Sequence, residues 1–240
     1  MFQRLLAASS LAVVLAGVAH AQSVPPKTSF TGDLGYVNAS GNTEFATLSV
    51  GDRIVHTRGP WTFTQLAGFV RGTTTDSVTA RAFRASLRVD HAIGNSVSAF
   101  VGVSDEMNKF AGFKSRTDEF GGLSWKVIRS PTDTLAIDGG VGYTQQKDVD
   151  GTDKNFGSMR TAETYKHVFS AHAYFLQLGE YVPSFGDKEG NRINSESAIV
   201  APVSSHIGVK VNYSIRYASK PPTGFGTTDR VLTMGLQISF

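Results

Sequence analysis

The stretch His206-Ile207-Gly208-Val209-Lys210-Val211-Asn212-Tyr213-Ser214-Ile215-Arg216-Tyr217 alternates large apolar side chains with polar or small ones. A β-strand sends successive side chains to opposite faces, so this segment has one apolar face and one polar face. The same period-two pattern returns in residues 83–90, 134–144 and 232–240. The sequence therefore predicts an all-β protein built from strands with two unlike faces.

Twelve segments of this kind follow one another along the chain. Their predicted spans are 28–39, 43–56, 61–71, 79–92, 96–105, 115–128, 134–145, 159–169, 173–182, 192–201, 205–217 and 229–240. Tight turns such as Arg58-Gly59-Pro60 alternate along the chain with longer polar connections. The connection between the first two strands, Ser40-Gly41-Asn42, is an exception, because it stands where a longer connection is expected and is itself a tight turn. The longer connections are predicted at 72–78, 106–114, 146–158, 183–191 and 218–228. This alternation is typical of outer-membrane barrels, which have short periplasmic turns and longer external loops.

The N-terminal residues have the pattern of a secretory leader. A positively charged start with Arg4 precedes an apolar run over residues 5–18, and Ala19-His20-Ala21 offers the small residues that signal peptidase reads. We expect a signal peptide over 1–21 with cleavage between Ala21 and Gln22. Residues 22–27 would then form a short periplasmic segment, and residues 28–240 the β-barrel domain.

Composition narrows the classes of protein. Cysteine is absent, which excludes disulfides and thiol catalysis. The 23 basic and 20 acidic side chains nearly balance, so a nucleic acid partner is not expected. After the leader no apolar stretch is long enough for a membrane helix, so a membrane-spanning form would have to be a closed barrel.

Alternation alone does not distinguish a membrane barrel from a soluble β-sandwich, but the positions of the aromatic side chains do. Two groups fall at opposite ends of the predicted strands: Tyr36, Tyr143 and Tyr217 at one end, and Trp61, Trp125 and Phe169 at the other. Rings in two belts are expected where a barrel crosses the two membrane–water interfaces. The sequence thus favours a twelve-stranded antiparallel transmembrane β-barrel in the outer membrane of a Gram-negative bacterium, in contact with lipid and lipopolysaccharide.

The chain stops on Phe240, within the apolar register of the last predicted strand. A phenylalanine in this place resembles the signal that the barrel assembly machinery of outer membranes reads, which makes that machinery an expected partner. The alternative is an ordinary strand at a sheet edge.

Several short motifs carry a resemblance to a known family. They are residues 35–43 (GYVNASGNT), 84–90 (RASLRVD), 140–143 (GVGY), 195–198 (SESA), 213–217 (YSIRY), 221–224 (PPTG) with Thr228-Asp229, and the final Ser239-Phe240. In this order and spacing they resemble the YdiY-like proteins, described as salt-stress-induced outer-membrane proteins with a domain of unknown function. The resemblance implies a barrel in the outer membrane and no established chemistry.

Asp52 departs from the family pattern, because it stands between Val50 and Ile54 where an apolar side chain is expected. A bare carboxylate in hydrocarbon is costly. We expect either a β-bulge near Gly51 that turns Asp52 inward, or a position at the periplasmic headgroup level, and we favour the second.

No motif points to catalysis. A twelve-stranded outer-membrane phospholipase uses serine, histidine and asparagine, but its His-x-Ser element does not occur here. Ser170-Ala171-His172 and Ser205-His206 fall in predicted turns without an acid or amide partner. Asp148-Val149-Asp150-Gly151-Thr152-Asp153 lacks the ligand spacing of a calcium loop. We therefore expect no catalytic, cofactor or metal site, and a lipid-modifying hydrolase is the least favoured function.

The polar register of the strands would line the lumen. It contributes Asp33, Arg53, Arg84, Arg88, Asp90, Lys126, Asp138, Lys210 and Arg216. Charges in such a wall are costly unless they are paired or hydrated. Two functions remain open: a structural or envelope-stress-related barrel filled by ion pairs, or a narrow passive channel for small solutes with a weak preference for anions.

Overall fold

The computed structural model of the chain describes residues 27–39, 45–74, 77–186 and 190–240. Nearly all of these residues belong to twelve β-strands. The strands are β1 (Lys27–Ala39), β2 (Phe45–Arg58), β3 (Trp61–Thr74), β4 (Ser77–Ala92), β5 (Val97–Asn108), β6 (Phe113–Arg129), β7 (Asp133–Asp148), β8 (Asp153–Val168), β9 (Tyr174–Pro183), β10 (Asn191–Pro202), β11 (Ile207–Ala218) and β12 (Thr228–Ser239). The predicted leader and the predicted turn Ser40-Gly41-Asn42 lie outside the described residues. Within them, no helix has the length and apolar character needed to cross a membrane.

Each strand pairs antiparallel with its neighbours in sequence, and β1 pairs with β12 to close the ring. The closure includes the last residue, because the backbones of Phe30 and Phe240 exchange two hydrogen bonds of 2.9 Å. A closed barrel has no free strand edge, so all the ladder hydrogen bonds are made within the sheet. The predicted fold, a twelve-stranded antiparallel barrel, is confirmed.

The two faces of the sheet are reversed relative to a soluble barrel. Large apolar side chains on the outer face are open, with Leu87, Val141 and Leu232 each more than half exposed. The buried polar side chains, among them Ser104, Thr144 and Gln237, point into the lumen. This arrangement is expected of a sheet that turns its apolar face to lipid.

The barrel has two unlike ends. The turn end holds Lys27, Phe240 and the tight connections, such as the Gly59 turn between β2 and β3. The loop end holds the other connections. The six aromatic residues of the predicted belts all have exposed side chains: Tyr36, Trp61, Trp125, Tyr143, Phe169 and Tyr217.

Three predicted loops are wrong: 72–78, 106–114 and 146–158. They belong largely to strands, since β3 runs to Thr74 and β4 begins at Ser77, β5 runs to Asn108, and β7 runs to Asp148 with β8 beginning at Asp153. A single 3-10 turn, Lys109–Ala111, joins β5 to β6 and ends at Gly112, whose φ of 91° suits glycine. The polar composition of the second and third of these segments reflects strands whose side chains pair inside the lumen.

The β-bulge near Gly51, the less favoured of the two alternatives for Asp52, does not occur. The pairing of β2 with β1 and β3 is continuous along its whole length, with Gly51 opposite Asp33 and Gly68. Register shifts occur instead in other strands, for example after Lys126 in β6. Asp52 therefore shares the outer face with Val50 and Ile54, near the middle of β2. That Asp52 lies at the level of the lipid headgroups stays a prediction.

Other polar side chains also lie on the outer face. On β9 and β10, Gln177 donates to the hydroxyl of Ser195 at 3.0 Å and accepts from that of Ser197. On β3, the side-chain oxygen of Gln65 is buried and has no hydrogen-bond partner among the described residues. The outer wall is thus apolar on most strands but polar in places.

Candidate functional site in the barrel lumen

The nine residues predicted to line the lumen all lie on the inner face, as the strand registers place them. Most of these nine charged side chains form ion pairs. Lys210 on β11 donates to Asp33 on β1 at 2.7 Å, and Gln237 donates to the other oxygen of the same carboxylate at 2.9 Å. These contacts link β1, β11 and β12 on the lumen side.

Arg88 on β4 holds two carboxylates. Its Nη2 lies 2.7 Å from Asp90 on the same strand, and its Nη1 pairs with Asp138 on β7. The guanidinium also lies over the ring of Phe100, 4.0 Å from its centroid. Charge-assisted hydrogen bonds and the aromatic face together hold this cation in place in the lumen.

Arg160 on β8 extends the same chain of contacts. It lies 3.4 Å from Asp138 and 2.7 Å from Glu180 on β9, and Glu180 accepts a further hydrogen bond of 2.8 Å from Asn194 on β10. With Arg88 the polar chain runs from β4 to β10 without a break. Such a fully paired network is the condition under which charges in a protein interior are tolerated.

Two further pairs lie towards the loop end and reach across the barrel. Arg192 on β10 binds Asp118 on β6 with both terminal nitrogens, at 2.7 and 3.1 Å. Arg216 on β11 pairs with Glu106 on β5. The strands β5 and β11 are diametrically opposite in the ring, so this last pair spans its full width.

Two cavities lie between these side chains. One of about 30 Å³ lies among Arg84, Arg160 and Glu180, and another of about 60 Å³ adjoins Arg116 near the loop end. The first has room for a water molecule or two, since one water needs roughly 10–15 Å³.

Near the turn end, the lumen wall carries basic side chains that form no ion pair with any described residue. Lys166 lies close to Arg53, and its ammonium stands 4.2 Å from the ring centroid of Tyr174. Lys126 is exposed at the end of the regular pairing of β6. Among the described residues, no carboxylate lies within ion-pair distance of these three cations. This part of the wall is therefore basic.

Several charged residues of the lumen were missed from the sequence. They are Glu106, Arg116, Asp118, Arg160, Glu180 and Arg192. Glu106 was assigned to a loop, whereas Asp118 and Arg160 fell inside predicted strands. The signal that could have found Asp118 is its spacing of eight residues from Lys126 along β6, which puts both on one face.

The serine–histidine pairs are local. Ser205 lies 2.9 Å from Nδ1 of His206, whose ring stacks on Phe240 with centroids 5.2 Å apart. Ser170 caps its own turn by accepting from the backbone of Ala173. Among the described contacts of these residues there is no carboxylate, so neither pair has the third member of a catalytic triad.

One aspartate–histidine pair was not foreseen. Asp133 and His167 are 2.7 Å apart on the outer face at the turn end, and Tyr165 donates to the same carboxylate. The imidazole packs edge-on against Phe169. No hydroxyl group among the described residues contacts the imidazole, so the pair lacks a nucleophile.

The aspartates of residues 148–153 point in different directions. Asp148 turns into the lumen and pairs with Lys154 at 2.9 Å, whereas Asp153 lies 3.7 Å from Lys147. Asp150 accepts from the backbone of Thr152, and this hydrogen bond lowers the pKa of its carboxyl. Nowhere in the described ranges do three His, Asp or Glu side chains gather to hold a metal ion.

Comparison with known proteins agrees with the barrel. The chain is 27% identical over 217 residues to the uncharacterized protein YdiY of Escherichia coli (strain K12), which covers 89% of this chain and 84% of that protein. The fold is similar to the NanC porin structure, with a TM-score of 0.54 and 11% identity over 87% of this chain and 98% of the porin. The model of a family described as a protein of unknown function, DUF481, matches residues 32–240. The chain therefore belongs to the DUF481 family.

Proposed function

We propose that this protein is an outer-membrane β-barrel with a structural role and no catalytic activity. The apolar outer face, the closed ladder and the two aromatic belts support a location in the outer membrane. In that location the turn end would face the periplasm and the loop end the cell exterior, and the chain would arrive through its leader.

The cross-lumen ion pairs carry the structural role. Arg216 and Glu106 join opposite walls, and Arg192 with Asp118 joins β10 to β6 nearby. Moving any of these side chains aside would leave a charge without its partner in a poorly hydrated interior, which is costly. The lumen would therefore be closed to organic solutes in the resting state.

A narrow passive channel for small anionic solutes is the second candidate. The basic side chains near the turn end, with Arg53 on β2 and Lys166 on β8 reaching towards each other from opposite walls, favour it. Basic side chains along a pore attract anions and repel cations. This function requires that the ion pairs at the loop end open, or that the passage between them admits single ions.

Two partners belong to the proposal. Phe240 takes part in barrel closure through Phe30, and its position supports recognition of the last strand by the barrel assembly machinery. On the outer face at the loop end, Arg71 and Arg81 lie directly opposite each other on neighbouring strands, and both are exposed. Like charges in this position repel. A phosphate of lipopolysaccharide between them would relieve the repulsion.

Liposome swelling tests the proposal. Purified protein is reconstituted into vesicles, which are then diluted into isotonic arabinose or sodium acetate. We expect no swelling beyond that of empty vesicles with either solute. Swelling in acetate without swelling in arabinose would support the narrow channel, and swelling in both would contradict a closed lumen.

A further inference from the structure

Arg116 on β6 lies in the half of the lumen nearer the loop end (the upper lumen) and has only neutral side-chain partners. Its Nε donates to Gln146 at 2.7 Å, and its guanidinium lies 3.8 Å from the ring centroid of Phe113. Gln146 is neutral. Among the described residues, no carboxylate lies within 4 Å of Arg116, although its side chain faces the lumen.

The neighbouring carboxylates are already engaged. Arg116 is close to Arg192 and Arg216, and also to Glu106 and Asp118. Arg192 holds Asp118 with two hydrogen bonds, and Arg216 holds Glu106. Arg116 therefore has no carboxylate partner of its own among these contacts. An arginine does not lose its proton in a protein, so the positive charge of Arg116 is not balanced by an ion pair.

A space lies beside this charge. The cavity of about 60 Å³ is bordered by Arg116, Arg192, Arg216 and Asn194, and also by the carboxylates of Glu106 and Asp229. Inside a protein wall, a cation without an ion-pair partner is unfavourable, and an anion would neutralise it. Guanidinium groups also bind carboxylates with paired hydrogen bonds. The space accepts a chloride ion or one carboxylate head, but not a whole sugar.

We propose that the upper lumen holds a site for one small anion, chloride or the carboxylate of a short organic acid, bound by Arg116 together with Arg192 and Arg216. The anion balances the positive charge of Arg116. Binding does not require conduction, so the site is independent of whether the lumen is closed or forms a narrow channel.

Thermal unfolding of the refolded protein tests the site. The midpoint Tm is compared in sodium chloride, sodium acetate and sodium gluconate at equal ionic strength, because gluconate is too large for the cavity. A ligand that binds only the folded state raises Tm. We expect Tm in chloride or acetate to exceed that in gluconate by about 2–4 °C. A shift in only one of the two salts identifies which anion is bound.

Two variants provide the control. Arg116→Gln should abolish the difference between salts, whereas Lys114→Gln, which removes one exposed charge two residues away, should keep it. An unchanged salt difference in Arg116→Gln, or no difference in the wild-type protein, would overturn the proposal. If Arg116→Gln does not fold, wild-type crystals soaked in bromide decide: an anomalous peak beside Arg116 supports the site, and its absence contradicts it.

Discussion

Arg216 on β11 and Glu106 on β5 form an ion pair between opposite walls of the barrel. The two residues are 110 positions apart in the sequence. Together with Arg192 and Asp118, they border the two cavities of the upper lumen. The polar register of the strands thus forms a network that spans the lumen.

The orientation of β11 can be tested with two adjacent residues. Val211→Arg places a cation on the outer face and should lower the free energy of unfolding by about 2–4 kcal/mol if the residue is near the bilayer centre. Lys210→Ala removes the partner of Asp33, which keeps its hydrogen bond from Gln237. We expect a loss of about 1–3 kcal/mol for that change. Urea unfolding in lipid vesicles measures both.

The lipid composition supplies the control for these variants. Thinner bilayers should reduce the penalty of Val211→Arg, because the introduced cation then lies closer to an interface, and should leave Lys210→Ala unchanged. An equal response of the two variants to bilayer thickness would show that the assigned faces are wrong.

Asp52 should be replaceable with a gain in stability. Because it lies on the outer face near the middle of β2, Asp52→Val removes a carboxylate from an apolar surface. We expect the free energy of unfolding to rise by about 1–2 kcal/mol, since acidic groups on the lipid face cost less than basic ones. Asp33→Val, a matched change on the lumen face of β1, should instead destabilise the barrel. A loss of stability in Asp52→Val would mean that Asp52 has a favourable partner.

Phe240 should be needed for efficient assembly. Its ring stacks on His206, so Phe240→Ser removes this contact and the expected assembly signal, while the backbone hydrogen bonds to Phe30 can still form. We expect less folded protein in the membrane fraction and more degradation. Phe110→Ser, at an exposed phenylalanine in the 3-10 turn of the loop end, serves as the control. Equal membrane levels for both variants would refute the role of the C-terminus.

The pair Arg71 and Arg81 should bind lipopolysaccharide. Replacing both with glutamine removes two exposed charges at the loop end and should weaken binding of purified lipopolysaccharide several-fold. The effect should be larger at low salt, because exposed charges are screened by ions. Arg58→Gln, which removes an exposed charge at the turn end, should bind as the wild-type protein does. If the double variant binds lipopolysaccharide as tightly as the wild-type protein, these arginines do not take part in the contact.

The sequence predicts the number, order and faces of the strands because these depend on local alternation. In residues 207–217, the alternation alone identifies the apolar and the polar face of the strand, without information about the neighbouring strands. The loop-end limits of β7 and β8 are not predictable in this way, because Gln146 and Asp148 are as polar as loop residues although their backbones pair with the neighbouring strands and their side chains lie in the lumen. Cross-lumen pairs such as Arg192 with Asp118 depend on strand number and stagger.

Single-channel recording in planar bilayers tests the central claim most directly, that ion pairs across the lumen keep it closed. We expect the wild-type protein to show no stable open conductance, and Glu106→Ser combined with Arg216→Ser to show discrete opening steps. The charge exchange Glu106→Arg with Arg216→Glu restores an ion pair across the barrel and should return the protein to the closed state. A stable, ohmic conductance in the wild-type protein that the double serine variant leaves unchanged would contradict the claim.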